Sequence, residues 1–252
     1  MMRRVIIAVV LLLSPLFVFA AEEEVELAHI KTDLTNKESL QNGAKLFMNY
    51  CIGCHSLKYA RYNRIAKDLD IPDDLFAENL IFTGAKTGEL MENSIPPKSA
   101  KAWFGATPPD LTLEARFRSA DWIYSYLKGF YADESRPWGV NNTVFKDVAM
   151  PHVLIGLQGL CASAPEISGE TKFDPLTGNV MSDESCESYA IQGSLSSEEY
   201  DAAVYDITNF LQYMGEPAQM DRKRIGIMVF AFLIVLYAVS FLYTRELHKD
   251  IH

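Results

Sequence analysis

The stretch that decides the fold of this chain is Cys51-Ile52-Gly53-Cys54-His55. Two cysteines three residues apart, followed at once by a histidine, are the attachment signature of c-type haem. Both thiols add to vinyl groups of the macrocycle, and the histidine ring reaches the iron as an axial ligand. The motif therefore predicts one covalently attached haem c, held by Cys51 and Cys54, with His55 bound to the iron.

Thioredoxin-like redox pairs and zinc sites also contain the Cys-x-x-Cys spacing. A redox pair has a βαβ context and needs no histidine directly after the second cysteine, whereas a zinc site needs a second ligand pair at fixed spacing. The two remaining cysteines, Cys161 and Cys186, do not have that spacing. Both alternatives therefore fit the chain less well than haem attachment.

Cys161 and Cys186 are the two cysteines that lie outside the haem motif. In an exported chain, an even number of such cysteines predicts a disulfide. The segment that they enclose is polar and acidic. We therefore expect a stapled surface insertion rather than part of the core.

Residues 1–20 have the order of a secretory signal peptide. Two arginines precede a long apolar run, and Val18 and Ala20 are small residues that favour cleavage after Ala20. An uncleaved anchor is the alternative. The signal predicts export of a haem domain comprising residues 21–220, which agrees with the attachment of bacterial c-type haem outside the inner membrane.

Residues 225–243 form a run of nineteen residues without a charge. As a helix this run would be about 28 Å long, enough to cross the hydrocarbon of a bilayer. The basic run Arg222-Lys223-Arg224 would then lie on the exported side, against the positive-inside tendency. Because haem attachment requires export, we expect a single-pass anchor in the bacterial inner membrane, a periplasmic haem domain and a cytoplasmic tail at 244–252.

Two further segments have helical patterns. Apolar residues at helical spacing over 36–56 predict a helix that carries the haem motif at its end. Gly43 is unfavourable inside a helix, so it predicts a close crossing by another helix. A capping box of Ser196 and Glu199 opens a second amphipathic helix, the expected partner at this crossing.

The central part of the chain divides into two. Residues 71–109 contain several Gly and Pro and no long period, which predicts irregular backbone around the cofactor. A helix capped by Ser119 follows, with large apolar residues on one side. Arg116 and Arg118 precede this helix; either matches a haem propionate geometrically, and a solvated surface arginine is the alternative.

The second axial ligand has many candidates, because the chain has nine methionines and five histidines. Met150 is favoured over Met181 and His152, because Pro151 imposes extended backbone at position 150 within a loop. Met/His ligation raises the potential of a cytochrome. A core methionine that fills a packing gap is the alternative for Met150.

The charge of the chain limits its partners. The net charge is −10; the arginines near the N-terminus contribute +2 and the segment from Asp221 onward contributes +2, so residues 21–220 carry −14. This charge excludes nucleic acid as a partner and suits a basic protein, with simple solubility as the alternative.

The assembled motifs resemble the cytochrome c1 family of bacterial type, the haem subunits of ubiquinol:cytochrome c oxidoreductase. The resemblance covers nearly all of the mature chain and is more specific than the haem motif alone. Its further carriers are Trp103-Phe104-Gly105, Pro108-Pro109-Asp110-Leu111, Ala149-Met150-Pro151 and Met214-Gly215-Glu216-Pro217. The acidic loop between the remaining cysteines has no role that the family implies.

The resemblance also implies roles for single residues. It makes Met150 the second axial ligand of the iron. Pro108 and Pro109 would pack on the haem, and Arg118 and Tyr124 would line its propionate region. The paired cysteines resemble the disulfide of some bacterial members.

The fold that the resemblance implies is mainly α, a c-type cytochrome domain with long irregular loops around the haem and one C-terminal transmembrane helix. The implied function is a one-electron relay. The haem would accept an electron from a Rieske iron-sulfur protein and pass it to a soluble or tethered basic c-type cytochrome. The chain would act beside cytochrome b in a dimeric complex and would not be catalytic alone.

Two other functions remain open at the level of sequence. The chain could be a membrane-tethered cytochrome subunit of another oxidase or dehydrogenase complex. A haem peroxidase is the third reading, but it needs acid/base residues on an open distal side, where His152 is the only nearby candidate.

Overall fold

The computed structural model describes residues 26–167, 169, 172–173, 180–181 and 186–251. The predicted signal peptide at 1–20 lies outside the described residues. Most of the acidic segment between Cys161 and Cys186 lies outside them as well.

The described helices vary from one turn to eight turns. In chain order they are α1 (Lys37–Tyr50), α2 (Tyr62–Asp68), α3 (Asp73–Leu80), α4 (Pro97–Phe104), α5 (Glu114–Phe117), α6 (Ala120–Lys128), α7 (Ile155–Gln158), α8 (Ser197–Gly215) and α9 (Gln219–Leu247), followed by a 3₁₀ turn, His248–Ile251.

The described strands are short. They are β1 (Leu57–Arg61), β2 (Leu90–Met91), β3 (Phe130–Ala132), β4 (Val140–Asn142), β5 (Gly159–Cys161), β6 (Lys172–Phe173), β7 (Val180–Met181) and β8 (Tyr189–Gln192). The pairs β1–β2 and β6–β7 form two-stranded sheets, and four strands form a sheet in the order β4-β3-β5-β8. Apart from the parallel pair β3–β5, neighbouring strands are antiparallel.

The core lies where α1 crosses α8. The α1 helix begins at Asn36, whose side-chain oxygen accepts a hydrogen bond from the Ser39 amide at 3.1 Å. A Cβ at Gly43 would overlap the backbone of Asp206 and lie 2.7 Å from the Cβ of Phe210. The predicted helix and its close crossing are therefore both confirmed.

The α6 helix packs on the same helix, α8, near its N-terminus. Ser119 caps α6 by accepting from the Trp122 amide at 3.2 Å, as predicted. At the other end of α6, Lys128 forms an ion pair with Asp201 at 2.7 Å, and both side chains are buried. Loss of either partner would leave an uncompensated buried charge, so this pair fixes the two helices against each other.

The α8 helix begins with the predicted capping box. The Ser196 hydroxyl accepts from the Glu199 amide, and the Glu199 carboxylate accepts from the Ser196 amide at 2.9 Å.

The prediction of irregular backbone throughout 71–109 is wrong for two stretches, because the structure places α3 and α4 there. Pro72 and Pro96 lie in extended backbone directly before these helices. Proline is compatible with a helix start, since the first amides of a helix have no partner inside it. The prolines that the sequence analysis took for interruptions therefore begin helices.

Cys161 and Cys186 form a disulfide, which confirms that prediction. Their Cα atoms are 5.4 Å apart, and the cysteines are separated by 25 positions in the chain. Cys161 ends β5 within the four-stranded sheet, so the bond ties the enclosed segment to that sheet.

The α9 helix is the apolar segment predicted as an anchor, and it extends beyond the charge-free run at both ends. It has 29 residues, and its apolar side chains are exposed. Its length and composition are those of a helix that could span a membrane. Residues 216–218 connect it to α8, and Arg222 pairs with Glu216 at 2.7 Å across this connection.

Candidate haem site

The haem motif lies on a tight turn at the end of α1. The Cys51 amide donates to the Phe47 carbonyl at 2.8 Å, and the His55 amide donates to the Cys51 carbonyl at 2.8 Å. Cys51 and Cys54 are free thiols. Before haem is attached, burial would raise the pKa of the Cys51 thiol to about 12 and would also raise the pKa of Cys54.

The ring of His55 is buried and held in one orientation. Its Nδ1 lies 2.7 Å from the carbonyl oxygen of Pro109. Because a carbonyl only accepts, Nδ1 carries the proton and the lone pair is on Nε2. Burial lowers the pKa of His55, which favours the neutral ring. A neutral imidazole with a fixed tautomer is what a metal ligand requires.

The position of the Pro109 carbonyl is set by hydrogen bonds between two segments. The Leu111 amide donates to the Ser56 carbonyl at 2.9 Å, and the Lys58 amide donates to the Asp110 carboxylate at 2.8 Å. Pro108 is half-buried and Pro109 is exposed. The Pro-Pro-Asp-Leu motif therefore lies directly against the haem motif, although the two are more than 50 residues apart in the sequence.

Met150 packs against a small second core. The buried members of this core are Phe130, Val140, Val148 and Leu160. The Tyr126 hydroxyl donates to the Met150 sulfur at 3.3 Å. A thioether is a weak acceptor, so this hydrogen bond orients the sulfur but leaves it available to a metal.

Tyr126 is a further residue of the site and was not predicted from the sequence. Its ring stacks on Trp122, with ring centroids 4.8 Å apart. Trp122 and Tyr126 are four residues apart in α6 and so lie on one helical face, which is the signal that could have identified Tyr126.

Arg118 lies among aromatic rings. Its guanidinium carbon is 4.3 Å from the Trp122 ring centroid, 5.7 Å from that of Phe117 and 5.6 Å from that of Phe145. Arg118 also pairs with Glu114 at 3.2 Å. Exposed apolar rings beside a partly exposed cation are suited to a ligand with an apolar body and acidic groups at its edge.

Tyr124 does not share this face. It lies two residues from both Trp122 and Tyr126, which places it on the opposite side of the helix. It is buried in the main core, with the Lys128 ammonium 5.2 Å from its ring centroid. Tyr124 therefore lies on the face of α6 opposite Trp122, the ring that the Arg118 guanidinium contacts.

His152 and Met181 were the other candidate ligands. The His152 ring is buried, stacks on Phe130 at 4.7 Å, and lies with Nε2 3.1 Å from the Gly159 carbonyl. Burial lowers the pKa of His152 to about 4, so it is neutral. The backbone of Met181 pairs with Lys172 in a two-stranded sheet within the disulfide-closed segment.

The residues present fit a covalently attached haem. Within the ranges that the structure describes, there is no cluster of three or more His, Cys, Asp or Glu side chains that would hold a metal ion. Haem iron needs few protein ligands, because the macrocycle supplies the others. Two free thiols, one histidine of fixed tautomer and an oriented methionine match that requirement.

Comparison with known proteins gives a consistent result. Residues 30–160 and 176–251 match the sequence model of the Cytochrome C1 family. The chain is 48% identical to cytochrome c1 of Allochromatium vinosum over all of both chains. It is 40% identical to the ammonia monooxygenase gamma subunit of Nitrosomonas europaea over 96% of each chain. It is 27% identical to the mitochondrial cytochrome c1 heme protein of Schizosaccharomyces pombe, over 82% of this chain and 65% of that protein.

These similarities confirm the expected fold, cofactor and general function. Proteins of this family carry one covalently attached haem c and are membrane-anchored electron carriers of the cytochrome b-c1 complex. The haem motif, the C-terminal apolar helix and the disulfide of this chain agree with that description. The chain belongs to the cytochrome c1 family.

Proposed function

We propose that Cys51 and Cys54 attach the haem through thioether bonds and that His55 and Met150 are the axial ligands of its iron. The observation that carries this proposal is the hydrogen bond from His55 Nδ1 to the Pro109 carbonyl at 2.7 Å. It leaves Nε2 as the metal-binding nitrogen of a residue that directly follows the second cysteine. The hydrogen bond from Tyr126 supports Met150 as the second ligand.

When bound, the haem supplies a one-electron couple of its iron. The residues of the chain around the haem set the reduction potential of that couple. His55 is kept neutral by burial and oriented by Pro109, and Tyr126 draws electron density from the Met150 sulfur by donating to it. Withdrawal of density from an axial ligand stabilises the reduced metal, so we expect Tyr126 to raise the potential.

Other residues are proposed to contact the macrocycle. Pro108 and Pro109 would pack on it, and Arg118 would pair with a propionate, which its position among aromatic rings supports. Tyr124 was expected in the same region, but its burial on the opposite face of α6 gives that role no support. Tyr126, on the same face of α6 as Trp122, contacts the Met150 sulfur.

We further propose that the haem accepts an electron from a Rieske iron-sulfur protein and donates it to a soluble or tethered c-type cytochrome. Membership of the b-c1 complex supports a place between a quinol-oxidising subunit and an acceptor. The charge of −14 on residues 21–220 favours a basic acceptor. The complex would be dimeric.

We propose the following topology. Residues 1–20 would be a signal peptide and 21–220 a periplasmic haem domain. The charge-free run at 225–243, within α9, would cross the bacterial inner membrane once, and 244–252 would be a cytoplasmic tail. The composition of α9 and the export that haem attachment requires support this arrangement.

A second candidate function is a cytochrome subunit of another membrane oxidase. The relative from Nitrosomonas europaea, which is 40% identical, is named as the gamma subunit of an ammonia monooxygenase, and this name favours the second function. A peroxidase gains no support, because His152 is buried and stacked in the core rather than placed as an acid/base group.

The test is to follow reduction of this haem in the isolated membrane complex after mixing with quinol, with and without its Rieske protein. We expect the haem to remain oxidised when the Rieske protein is removed, and reduction to return when it is restored. The haems of cytochrome b should still be reduced in both samples, which controls for quinol access. Rapid haem reduction without a Rieske protein, or purification of this chain with a monooxygenase and no cytochrome b, would contradict the proposal.

A further inference from the structure

Met150 lies in a stretch without regular secondary structure. The strand β4 ends at Asn142 and α7 begins at Ile155, so neither element holds residue 150 directly. A ligand on such a loop stays near its metal only if contacts from other residues fix the backbone of the loop.

Arg136 donates several hydrogen bonds to this loop. It lies in the turn between β3 and β4, and its side chain is 24% exposed. One guanidinium nitrogen donates to the Asp147 carboxylate at 3.0 Å. The other donates to the Asp147 carbonyl at 2.7 Å and lies 3.5 Å from the Val148 carbonyl. A single planar group therefore holds the backbone two and three residues before Met150.

The turn that carries Arg136 is itself fixed. The Asp133 carboxylate accepts from the Asn141 side chain at 2.9 Å, and the oxygen of that side chain accepts from the Asp147 amide at 2.9 Å. Asp147 has φ of 62°, a left-handed conformation that non-glycine residues rarely adopt. Contacts on the amide, carbonyl and carboxylate of one residue keep it in this conformation.

The loop also has an apolar attachment. Val148 is buried and belongs to the second core, against which Met150 packs. The guanidinium and the Val148 side chain thus hold the loop from two sides. Without the polar contacts, the backbone at Asp147 would be free to return to an ordinary conformation, and the position of Met150 would change with it.

We propose that Arg136 is a positioning residue for the axial methionine, acting through the backbone of Asp147 and Val148. The inference rests on the proposed function of Met150 as a ligand. Arginine is required because its fork reaches a carboxylate and a carbonyl at once, whereas lysine presents a single point charge. The expected consequence of losing Arg136 is more frequent dissociation of the methionine from the iron.

The test compares variants of the full-length haem protein in membranes or detergent. The readouts are the far-red charge-transfer band of Met-ligated ferric haem, the reduction potential and the rate of cyanide binding to the ferric form. Arg136→Gln should bind cyanide about tenfold faster, because loss of charge-assisted hydrogen bonds changes such an equilibrium by about that factor. Arg136→Lys should bind it faster than wild type as well. Lys146→Gln is the matched control, since it removes the same charge from an exposed side chain beside Asp147.

Each outcome supports or overturns the role of Arg136 in positioning Met150. A wild-type cyanide rate and band in Arg136→Gln, together with loss of the band in Met150→Leu, would overturn the role of Arg136 alone. Retention of the band in Met150→Leu would overturn the ligand assignment and this inference with it. An equal acceleration in Lys146→Gln would show a general charge effect and overturn positioning. If Arg136→Gln does not accumulate, the rate of cyanide binding is measured in Asp147→Asn, since asparagine tolerates the left-handed conformation but lacks the charge. A rate above that of wild type supports the role of Arg136, and a wild-type rate overturns it.

Discussion

Gly43 and Asp206 are in backbone contact where α1 crosses α8. The contact brings the two helix axes close together, because no side chain separates them. Since the haem motif follows directly after the end of α1, this crossing also sets where Cys51 lies relative to the rest of the domain.

Replacement of Gly43 by alanine should therefore destabilise the domain by about 1–3 kcal/mol, the usual cost of overpacking a core. The added Cβ would overlap the Asp206 backbone, and neither helix can move without disturbing the core. The measurement is the free energy of unfolding from guanidinium titration. Gly156→Ala is the matched control, because Gly156 is also in a helix and a Cβ there meets no atom within 4 Å. Equal effects of the two substitutions would contradict the proposed importance of the crossing.

Replacement of Met150 by leucine should abolish the far-red charge-transfer band and lower the reduction potential, because leucine offers no sulfur to the iron. Met181→Leu should leave both unchanged. If Met181→Leu removes the band and Met150→Leu does not, the axial ligand is Met181.

Removal of the disulfide should destabilise the protein by about 3.5 kcal/mol in the chain-entropy model for a loop of about this length. The variant is Cys161→Ala with Cys186→Ala, and the measurement is again the free energy of unfolding. Peptide mapping of the wild-type protein without reductant should recover the linked pair. Two free thiols in that experiment would contradict the bond.

The stability contributed by Asp206 should depend on pH. Burial raises the pKa of Asp206, although Ser39 and Asn42 donate hydrogen bonds to its carboxylate. The folded state therefore binds this proton more tightly than the unfolded state, so wild-type stability is favoured at low pH and declines as the pH rises through the raised pKa. Asp206→Asn should gain stability relative to wild type as the pH rises from the unfolded-state pKa through the raised pKa of the folded state. A difference that is independent of pH would contradict this expectation.

Acidic side chains should steer the electron acceptor, since surface charges act over a Debye length of about 8 Å at physiological salt. The candidate clusters are residues 22–24, Asp133 with Glu134, and the 161–186 segment; the first of these and most of the third lie outside the described residues. Asp133 accepts hydrogen bonds from Ser135 and Asn141, so Glu134 is the cleaner position to change.

Glu134→Gln should slow reduction of a basic cytochrome c at low ionic strength and have little effect at high ionic strength. Glu78→Gln on α3 removes the same charge elsewhere and serves as the control. Reduction of the haem by quinol should be unaffected in both. If acceptor reduction has no salt dependence, or if neutralising each of the three clusters leaves it unchanged, the charge serves solubility alone.

The helices that were predicted correctly are those with local signals. Asn36, Ser119 and Ser196 each cap a helix by accepting a hydrogen bond from the amide three residues ahead, and such caps depend on residues that are close together in the sequence. Gly43 marked a close crossing because glycine inside a helix needs a compensating contact. The apolar run of α9 needed only length and composition.

The polar contacts of the site were not predictable in the same way. Pro109 reaches His55 across more than 50 residues, and Arg136 reaches Asp147 between two turns without periodicity. Neither contact leaves a pattern in the sequence, because each depends on where irregular segments meet. Family likeness alone implied Tyr124, and no pattern in the sequence indicated that Tyr126 donates to the Met150 sulfur.

The connection between α8 and α9 bears on how often this domain meets its partners. Only residues 216–218 separate the two helices, so a fully extended link would reach at most about 14 Å. A protein held on so short a tether has an effective concentration toward other components of the same membrane that is set by the tether and not by its abundance. For partners held in the same membrane, the three-residue link would therefore replace a search through the surrounding volume by a search over a small range of orientations at the membrane surface.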